Sequence, residues 1–350
     1  MPFVRLSGRI SGKDDPSREV RARMLYQLFA NGWDIYNSNG DQRITLSNIE
    51  RKIVESDAFV FMPDASLEDL FKAVSIFVGY QTLDVHLFGK ATVILNTDHS
   101  WDAMFGLLDR LRELGTIRQN YRKFLLQASS TDEVLQSLDR VGDEGLPDIG
   151  REKIMDCNAD TFEKEFDKPL IGKVCVFCSA SIEDPAYLSE GYELGRLLAE
   201  NDLGCVSGAG TTGVMGQVVQ GSVDAGGWTG GSNVPHIIEL EGLPEGMTSF
   251  WLRPDIYTRM EAMIENSDSF VIFPGGAGTV QEMLALLIFK QMGSPLMAGK
   301  PVIIYNKPLP EGGGFWDQLV AMLEPWAGSG YYSVADTLDE VLEMSKAAVV

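Results

Sequence analysis

Basic residues are scarce in this chain of 350 residues. It has 29 lysines and arginines against 50 aspartates and glutamates, which gives a formal net charge of −21. A surface of this kind does not attract the phosphate backbone of nucleic acids, because it has no broad basic field. The charge balance argues against a nucleic-acid partner. It also predicts that any phosphate site is local and is built from backbone amides and one or two arginines.

Cysteine and histidine are also few. The seven residues are spread along the chain: Cys157, Cys175, Cys178, Cys205, His86, His99 and His236. Cys175 and Cys178 form a C-x-x-C pair, which in other settings marks a redox pair or half of a zinc site. Here they lie within the strand-like segment KVCVFCSAS, away from a helix start where a thiol would be activated. We therefore expect buried core cysteines, with no metal and no cofactor.

Long apolar runs are missing, although apolar residues make up 45% of the chain. No run approaches the roughly 20 residues that a helix needs to cross a bilayer. The opening segment, MPFVRLSGRISG, lacks the apolar core and cleavage site of a signal peptide. We expect a cytoplasmic enzyme or binding protein without a membrane partner.

The most informative stretch is DSFVIFPGGAGTVQEMLALLIFKQM, residues 268–292. Its apolar start predicts a buried strand that ends at Pro274, and the glycines after it allow a tight turn. Thr279 is predicted to cap a helix that has Glu282 on its first turn. A strand, a glycine turn and a helix start form an anion site, because free N–H groups converge there. The predicted phosphate contacts are Gly275, Gly276, Gly278 and Thr279.

The string PGGxGTxxE at residues 274–282 resembles the signature of the LOG (LONELY GUY) family, often labelled lysine decarboxylases. The resemblance includes Arg259 at the family's spacing from Pro274, and it extends over about residues 172–345. The better-known members are phosphoribohydrolases, which cleave the N-glycosidic bond of nucleoside 5′-monophosphates. Two positions depart from the family pattern: Met260 replaces its usual lysine, and Tyr257 replaces a frequent histidine. These departures bear on substrate identity and on full activity.

The resemblance implies that Arg259 and Glu282 are the catalytic pair. A fixed carboxylate at Glu282 would stabilise the oxocarbenium-like ribosyl cation that forms during N-glycoside cleavage. Arg259 would assist departure of the base, or would orient Glu282 and the phosphate. Ser179 and Ser181, at the end of the first strand of this half, are candidates for contacts with ribose or phosphate. Without the resemblance, Arg259 would be an ordinary surface arginine, and Glu282 would stabilise a helix dipole by less than about 1 kcal/mol.

A second glycine motif, GAGTTG, follows a predicted strand and fits the dinucleotide pattern G-x-G-x-x-G. A nicotinamide cofactor would need an acidic residue about 20 positions further on, and residues 228–238 contain none. The strand is also not the first of its half. We therefore assign Gly208, Gly210 and Gly213 to a second wall of a mononucleotide pocket, in agreement with the family's GGGxxGLMG.

Strand-like and helix-like segments alternate in both halves, including a strand predicted at Ile237–Leu240. This alternation predicts an α/β protein with a Rossmann-like doubly wound parallel sheet and sites at the carboxyl ends of strands. The length favours two domains. Residues 141–168, acidic and containing Gly and Pro, are predicted to link a domain of residues 1–140 to one of residues 169–350.

The two halves resemble each other. ERKIVESDAFVFMP aligns with TRMEAMIENSDSFVIFP, so that Asp57 matches Asp268 and Pro63 matches Pro274, a shift of 211 residues. FGKATVILN aligns with AGKPVIIYN at a shift of 210 residues. Two nearly collinear blocks favour duplication of one domain, although two α/β units can also share such patterns by chance.

The first half has lost the residues that carry the predicted chemistry. PGGAGT in the second half corresponds to Pro63 and DASL in the first, and Asn48 stands where the second half has Arg259. Asp64 would repel a phosphate by about 4 kcal/mol at about 4 Å and an effective dielectric of about 20. Between Asn39 and Leu46 the first half also lacks the long insert that carries GVMG. We expect this half to have no nucleotide site.

We interpret the chain as a LOG-type phosphoribohydrolase that converts an AMP-like or cytokinin-type nucleotide to free base and ribose 5-phosphate. The alternative is a protein that binds or senses a nucleotide or the molybdenum cofactor without hydrolysis. The resemblance to dimeric LOG proteins implies that the first half acts as a built-in partner in an internal pseudo-dimer, or that the second half pairs in a homo-oligomer.

Overall fold

The structure, a computed structural model, describes residues 2–8, 17–37 and 46–347. These residues form two compact units. The first unit comprises Met1–Arg112 and Arg118–Gly150, and the second comprises Glu113–Ile117 and Arg151–Val350. Within the described residues, no helix is both long enough and apolar enough to cross a membrane.

The first half of the chain forms one parallel sheet in the order β2-β1-β3-β4-β5. The strands are β1 (Phe3–Ser7), β2 (Asp34–Asn37), β3 (Ala58–Phe61), β4 (Ala91–Leu95) and β5 (Leu125–Ala128). The helices between and after them are α1 (Ser17–Ala30), α2 (Leu46–Val54), α3 (Leu67–Gln81), α4 (Asp102–Glu113) and α5 (Thr131–Glu144). β3 and β4 are buried along their whole length, as expected for the short apolar runs AFVF and ATVIL.

The second unit contains an eight-stranded sheet in the order β13-β12-β11-β7-β8-β9-β10-β6. The strands are β6 (Phe162–Glu163), β7 (Gly172–Phe177), β8 (Leu203–Ser207), β9 (Thr229–Asn233), β10 (Ser249–Leu252), β11 (Ser269–Ile272), β12 (Val302–Tyr305) and β13 (Ser333–Ala335). The helices are α6 (Pro185–Glu200), α7 (Gly213–Asp224), α8 (Pro235–Glu241), α9 (Ile256–Glu265), α10 (Ala277–Gln291), α11 (Asp317–Met322) and α12 (Leu338–Lys346). β6 pairs antiparallel with β10, and the other described strand pairs are parallel. The predicted Rossmann-like α/β class is therefore confirmed.

The strand predicted at Ile237–Leu240 is wrong. These residues belong to α8, which has Pro235 in its first turn and buries Ile237, Ile238 and Leu240. A short apolar run does not separate a strand from a buried helix by periodicity alone, and proline at a helix start presets the backbone. The strand of this region is instead β9, whose sequence TGGSN has little intrinsic strand preference but is fully buried.

The stretch predicted as a linker, residues 141–168, contains ordered structure. Its first residues complete α5, and β6 adds an edge strand to the second sheet. The domain limits stay a prediction. The short connection between Asn39 and Leu46 lies almost wholly outside the described residues.

Candidate functional site

Three turns meet at the carboxyl edge of the second sheet. β7 lies between β8 and β11, so the chain leaves it on one side and later returns on the other, which makes this edge a switch point. Ser179 N, after β7, donates a hydrogen bond of 3.2 Å to Pro274 O, after β11. Met215 N, in the first turn of α7, donates one of 3.0 Å to Ser179 O. The turns after β7, β8 and β11 therefore form one site.

The glycine turn after β11 ends in a helix start without a side-chain cap. α10 begins at Ala277, with Gly276 in extended backbone as its N-cap. The prediction that Thr279 caps the helix is therefore wrong, since Thr279 is the third residue of α10. Without a capping side chain, the first N–H groups of the helix face the turn with no internal acceptor. Such a helix start is suited to holding an anion.

The glycines of this turn differ in how much room a side chain would have at each position. A methyl group on Gly275 would collide with Thr279 Oγ1, and one on Gly276 would lie 2.8 Å from the carbonyl oxygen of Thr116. Thr116 belongs to the segment that groups with the second unit. Above Gly278 there is open space within 4 Å. The Thr279 hydroxyl is buried and has no hydrogen-bond partner among the described residues, so it is available to a ligand in the turn.

Glu282 lies on the second turn of α10, as its sixth residue, and not on the first turn as predicted. The difference follows from the earlier helix start at Ala277. The side chain is half-buried. Loss of water around the carboxylate raises the pKa of Glu282 to about 7, with Arg259 opposing this change and Glu241 adding to it. At neutral pH this carboxyl group can therefore both hold and release a proton.

Arg259 is fixed by backbone carbonyls from two neighbouring turns. Asp255 caps α9 by accepting hydrogen bonds from Tyr257 N and Thr258 N. Arg259 Nε then donates to Ser232 O at 2.9 Å, and Nη2 donates to Gly208 O at 3.1 Å. The arginine therefore joins the end of β9 to the turn after β8 and keeps its charge beside Glu282.

The two departures from the family pattern lie in the core. Met260 and Tyr257 are 2% and 3% exposed. A lysine at position 260 would bury a charge in this environment, which is unfavourable unless the charge is paired. The substitution to methionine therefore suits the packing of α9.

Glu241 is a site residue that the sequence analysis missed. It ends α8, is 8% exposed, and has its Oε1 3.6 Å from Arg151 Nη2. Its Oε2 would lie 3.2 Å from a methyl group on Gly210, so this carboxylate faces the turn after β8. Burial raises the pKa of Glu241, while Arg259 and Arg151 lower it. The signal in the sequence was weak: a glutamate between Gly242 and the segment Ile237–Leu240, which was predicted as a strand.

The remaining predicted residues shape the turns. Ser179 Oγ accepts hydrogen bonds from Ser181 N (3.0 Å) and Ile182 N (3.1 Å), and Ser181 Oγ donates to Thr116 O (3.1 Å). Gly213 has a φ of +60°, and a methyl group on it would lie 2.7 Å from Ser179 O. A methyl group on Gly208 would collide with the guanidinium of Arg259. The structure thus places all predicted site residues in or beside the three turns.

The cysteines near the site are not activated. Burial, together with the charge of Glu282, raises the pKa of both Cys175 and Cys178 well above the usual range. Cys175 and Cys205 are buried as expected, whereas Cys157 and Cys178 are only half-buried. A thiol held in its protonated form is a poor nucleophile.

Comparison with known proteins supports the resemblance in the second half. Residues 215–348 match a family model described as "Possible lysine decarboxylase". One relative is the probable cytokinin riboside 5′-monophosphate phosphoribohydrolase LOGL1 of Oryza sativa subsp. japonica. The two sequences are 29% identical over 164 residues, which cover 46% of this chain and 69% of the relative. Another is the cytokinin riboside 5′-monophosphate phosphoribohydrolase LOG4 of Arabidopsis thaliana, which is 28% identical to this chain over 185 residues. That alignment covers 51% of this chain and 78% of the relative.

Solved structures also match about half of the chain. The molybdenum cofactor binding protein of Rippkaea orientalis is 22% identical, covers 53% of this chain and all of its own, and has a TM-score of 0.40. The Moco carrier protein of Chlamydomonas reinhardtii is 18% identical, covers 52% of this chain and 98% of its own, and has a TM-score of 0.38. The predicted resemblance to the LOG family is confirmed by the family model and the sequence relatives, over about half the chain.

Proposed function

We propose that the second unit, which carries the LOG resemblance, hydrolyses the N-glycosidic bond of a nucleoside 5′-monophosphate to give free base and ribose 5-phosphate. The observation that carries this proposal is the position of Glu282. Its carboxyl group has a pKa of about 7 and is held beside Arg259 at the edge where the turns after β7, β8 and β11 meet. A fixed carboxylate can stabilise the oxocarbenium-like ribosyl cation of N-glycoside cleavage, and the neighbouring anion site would hold the 5′-phosphate.

The 5′-phosphate would occupy the turn after β11. The uncapped N–H groups at the start of α10 and the buried hydroxyl of Thr279 supply donors, and the space above Gly278 supplies room. The chain as a whole is strongly acidic, so these local donors provide the attraction that the surface lacks. Holding the phosphate here places the ribose within reach of Glu282.

The reaction would then separate the C1′–N bond and add water to C1′. Ionised Glu282 would stabilise the positive charge that develops on the ribose, and it would accept a proton from the attacking water. The departing base would carry away the electron pair of the broken bond and take up a proton. Arg259 is tied to two carbonyl groups, so we assign it a positioning role that also favours the ionised form of Glu282.

The preferred substrate would be an AMP-like nucleotide, because the relatives named above act on cytokinin riboside 5′-monophosphates. We further propose that the first half serves as a built-in partner of the second, so that each chain has one working site. The acidic composition is consistent with a small-molecule substrate and not with nucleic acid.

The test is to incubate the protein with AMP, GMP, CMP and isopentenyl-AMP and to measure free base by chromatography. Base release from at least one nucleotide is expected, and the matching nucleoside without the 5′-phosphate should be a much poorer substrate. Calorimetric titration with the same panel gives binding independently of turnover. Tight binding of AMP without base release would contradict the proposed reaction and would favour a nucleotide-sensing protein.

A further inference from the structure

Glu241 contributes a second carboxylate to the edge of the sheet that carries Glu282. It is the last residue of α8 and is 8% exposed. A carboxylate in the last turn of a helix faces the negative end of the helix dipole, so this glutamate does not stabilise α8. Burial of its charge is a further cost unless partners compensate for it. Two unfavourable effects at one residue indicate a role in binding or chemistry instead of stability.

The backbone of Glu241 is fixed to the turn after β8. Thr211 N donates to Glu241 O at 2.9 Å, and Thr211 Oγ1 donates to the same oxygen at 2.6 Å. Gly242, the next residue, has a φ of +74°, and a methyl group on it would lie 2.8 Å from Thr211 Oγ1. The end of α8 and the turn after β8 are therefore held together and form one wall of the site.

The two carboxylate oxygens of Glu241 have different neighbours. Oε1 lies 3.6 Å from Arg151 Nη2, which is too long for a normal hydrogen bond. Oε2 lies beside Gly210, where a methyl group would be 3.2 Å from it. Because position 210 is a glycine, the space beside Oε2 stays open. This oxygen therefore has both the room and the capacity to accept a hydrogen bond from a ligand.

An apolar surface lies next to this carboxylate. A methyl group on Gly208 would lie 2.9 Å from the sulfur of Met215, and one on Gly210 would lie 2.8 Å from its terminal carbon. The Met215 side chain therefore runs along the turn after β8, and it is 6% exposed. A thioether makes favourable contacts with aromatic rings. The wall formed by the turn after β8 and the end of α8 thus combines a surface for a planar ring with a hydrogen-bond acceptor beside it.

The turns follow one another along the sheet in the order of the groups in a nucleotide. β11, β7 and β8 are neighbours, so the turns after β11 and β8 are two strand spacings apart, about 10 Å. Glu282 lies between them, because its charge reaches Cys178, directly after β7. Arg259 lies near both carboxylates, since its charge opposes the rise in the pKa of Glu241 and of Glu282. A nucleotide held by its phosphate at the start of α10 would bring its ribose to Glu282 and its base to the wall beside Glu241.

We propose, on the basis of the function proposed above, that Glu241 determines which base is accepted. Its Oε2 accepts a hydrogen bond from an exocyclic amino group, N6 of adenine or N4 of cytosine. An ionised carboxylate only accepts hydrogen bonds, so it pairs with an amino group and repels the carbonyl oxygen that replaces it in hypoxanthine or uracil. A site with a fixed polar group rejects a ligand that cannot pair with it more strongly than an apolar pocket does. Nucleotides with an amino group are therefore favoured over their oxo counterparts.

The test is calorimetric titration of the full chain with three nucleotides that differ at one ring position. They are AMP, purine riboside 5′-monophosphate, which lacks the amino group, and IMP, which has an oxygen in its place. All titrations use the Glu282→Gln background, so that turnover does not consume the ligand, and pH 8, which favours the ionised form of Glu241. We expect AMP to bind roughly 10-fold more tightly than purine riboside 5′-monophosphate, with IMP weaker still, because a hydrogen bond to a charged group is lost.

Adding Glu241→Gln should lower the ratio of AMP affinity to IMP affinity by roughly 10-fold or more, because the glutamine amide can also donate to the oxygen of IMP. Glu239→Gln is the matched control, since Glu239 lies on the same helix and pairs with Lys153, and it should leave the ratio unchanged. The ratio is taken within one variant, so a smaller folded fraction cancels out.

Tight AMP binding with an unchanged AMP-to-IMP ratio in Glu241→Gln would overturn the role of Glu241 alone. Failure of all three nucleotides to bind would overturn it together with the proposed function. The ratio does not depend on turnover, so it distinguishes a wrong assignment of Glu241 from a wrong reaction.

Discussion

Five strands of the second sheet follow the same order as the five strands of the first sheet, and the second sheet has three additional strands. The first sheet has the order β5-β4-β3-β1-β2, and the second has β13-β12-β11-β7-β8 followed by β9, β10 and β6. The added segment supplies Ser232 at the end of β9, which fixes Arg259, and Glu241 at the end of α8. The comparison teaches that the predicted chemistry depends on this addition. We propose that both units arose by duplication of one domain.

The two units also differ in how they begin the helix after the third shared strand. In the first unit, Ser66 and Asp69 form a reciprocal capping box, which satisfies the N–H groups at the start of α3. In the second unit, Gly276 offers no side chain, and the N–H groups at the start of α10 remain available. The same helix start is therefore closed by the protein itself in one copy and left open for an anion in the other.

The largest effect is expected from Gly276→Asp, which places a carboxylate in the second turn, one residue after the position that matches Asp64 of the first. The new side chain would meet Thr116 O, and its charge would repel a phosphate by about 4 kcal/mol at about 4 Å. AMP affinity measured by calorimetry should fall by roughly 10³-fold or more. Gly276→Asn introduces a side chain of the same shape without the charge, so its AMP affinity should fall less. Equal losses of AMP affinity in the two variants would show that charge repulsion does not cause the loss.

Glu282→Gln should lower kcat by roughly 10²-fold or more while AMP still binds, because glutamine keeps the size but not the charge. The measurement is base release under saturating substrate, together with a calorimetric Kd. Glu265→Gln, on the exposed end of α9, is the matched control and should retain normal turnover. Near-normal activity of Glu282→Gln would refute the assigned mechanism.

The pH profile should reflect the carboxyl pair. If Glu282 acts in its ionised form, kcat/KM should rise with pH and reach half its maximum near pH 7. Glu241 raises the pKa of Glu282, so Glu241→Gln should move the midpoint to lower pH. Glu239→Gln, on the same helix, pairs with Lys153 and should leave the midpoint unchanged. If the midpoint of the pH profile does not move in Glu241→Gln, Glu241 does not influence the pKa of Glu282, and this prediction is wrong.

The smallest effect is expected from Asp64→Gly in the first unit. Asp64 has a φ of +63°, so glycine should relieve backbone strain and raise the free energy of unfolding by up to about 1 kcal/mol. The variant should gain no AMP binding, because the capping box of Ser66 and Asp69 still closes the start of α3. Thermal unfolding and calorimetry measure the two quantities. A second AMP site in this variant would show that one residue alone silenced the first unit.

Local features of the site could be predicted from the sequence, because neighbours in the chain determine them. The β11 turn, the glycines that permit close approach and the cap of α9 by Asp255 are of this kind. The predicted start of α10 was three residues too late, since threonine is a common cap and glycine offers no side chain to recognise.

Long-range features could not be predicted in this way. Arg259 bonds to carbonyl groups 27 and 51 residues away, and these contacts depend on the packing of β8 and β9. Glu241 was missed because α8 was predicted as a strand, which would have placed its side chain differently. The pKa of Glu282 likewise depends on burial that only the folded chain produces.

The central claim is that one chain carries one working nucleotide site, in the second unit. Calorimetric titration of the Glu282→Gln chain with AMP tests it directly, because binding is measured without turnover. We predict saturation at one AMP per chain, with no binding when Gly276→Asp is added. Saturation at two AMP per chain, or one AMP that still binds after Gly276→Asp, would contradict the claim.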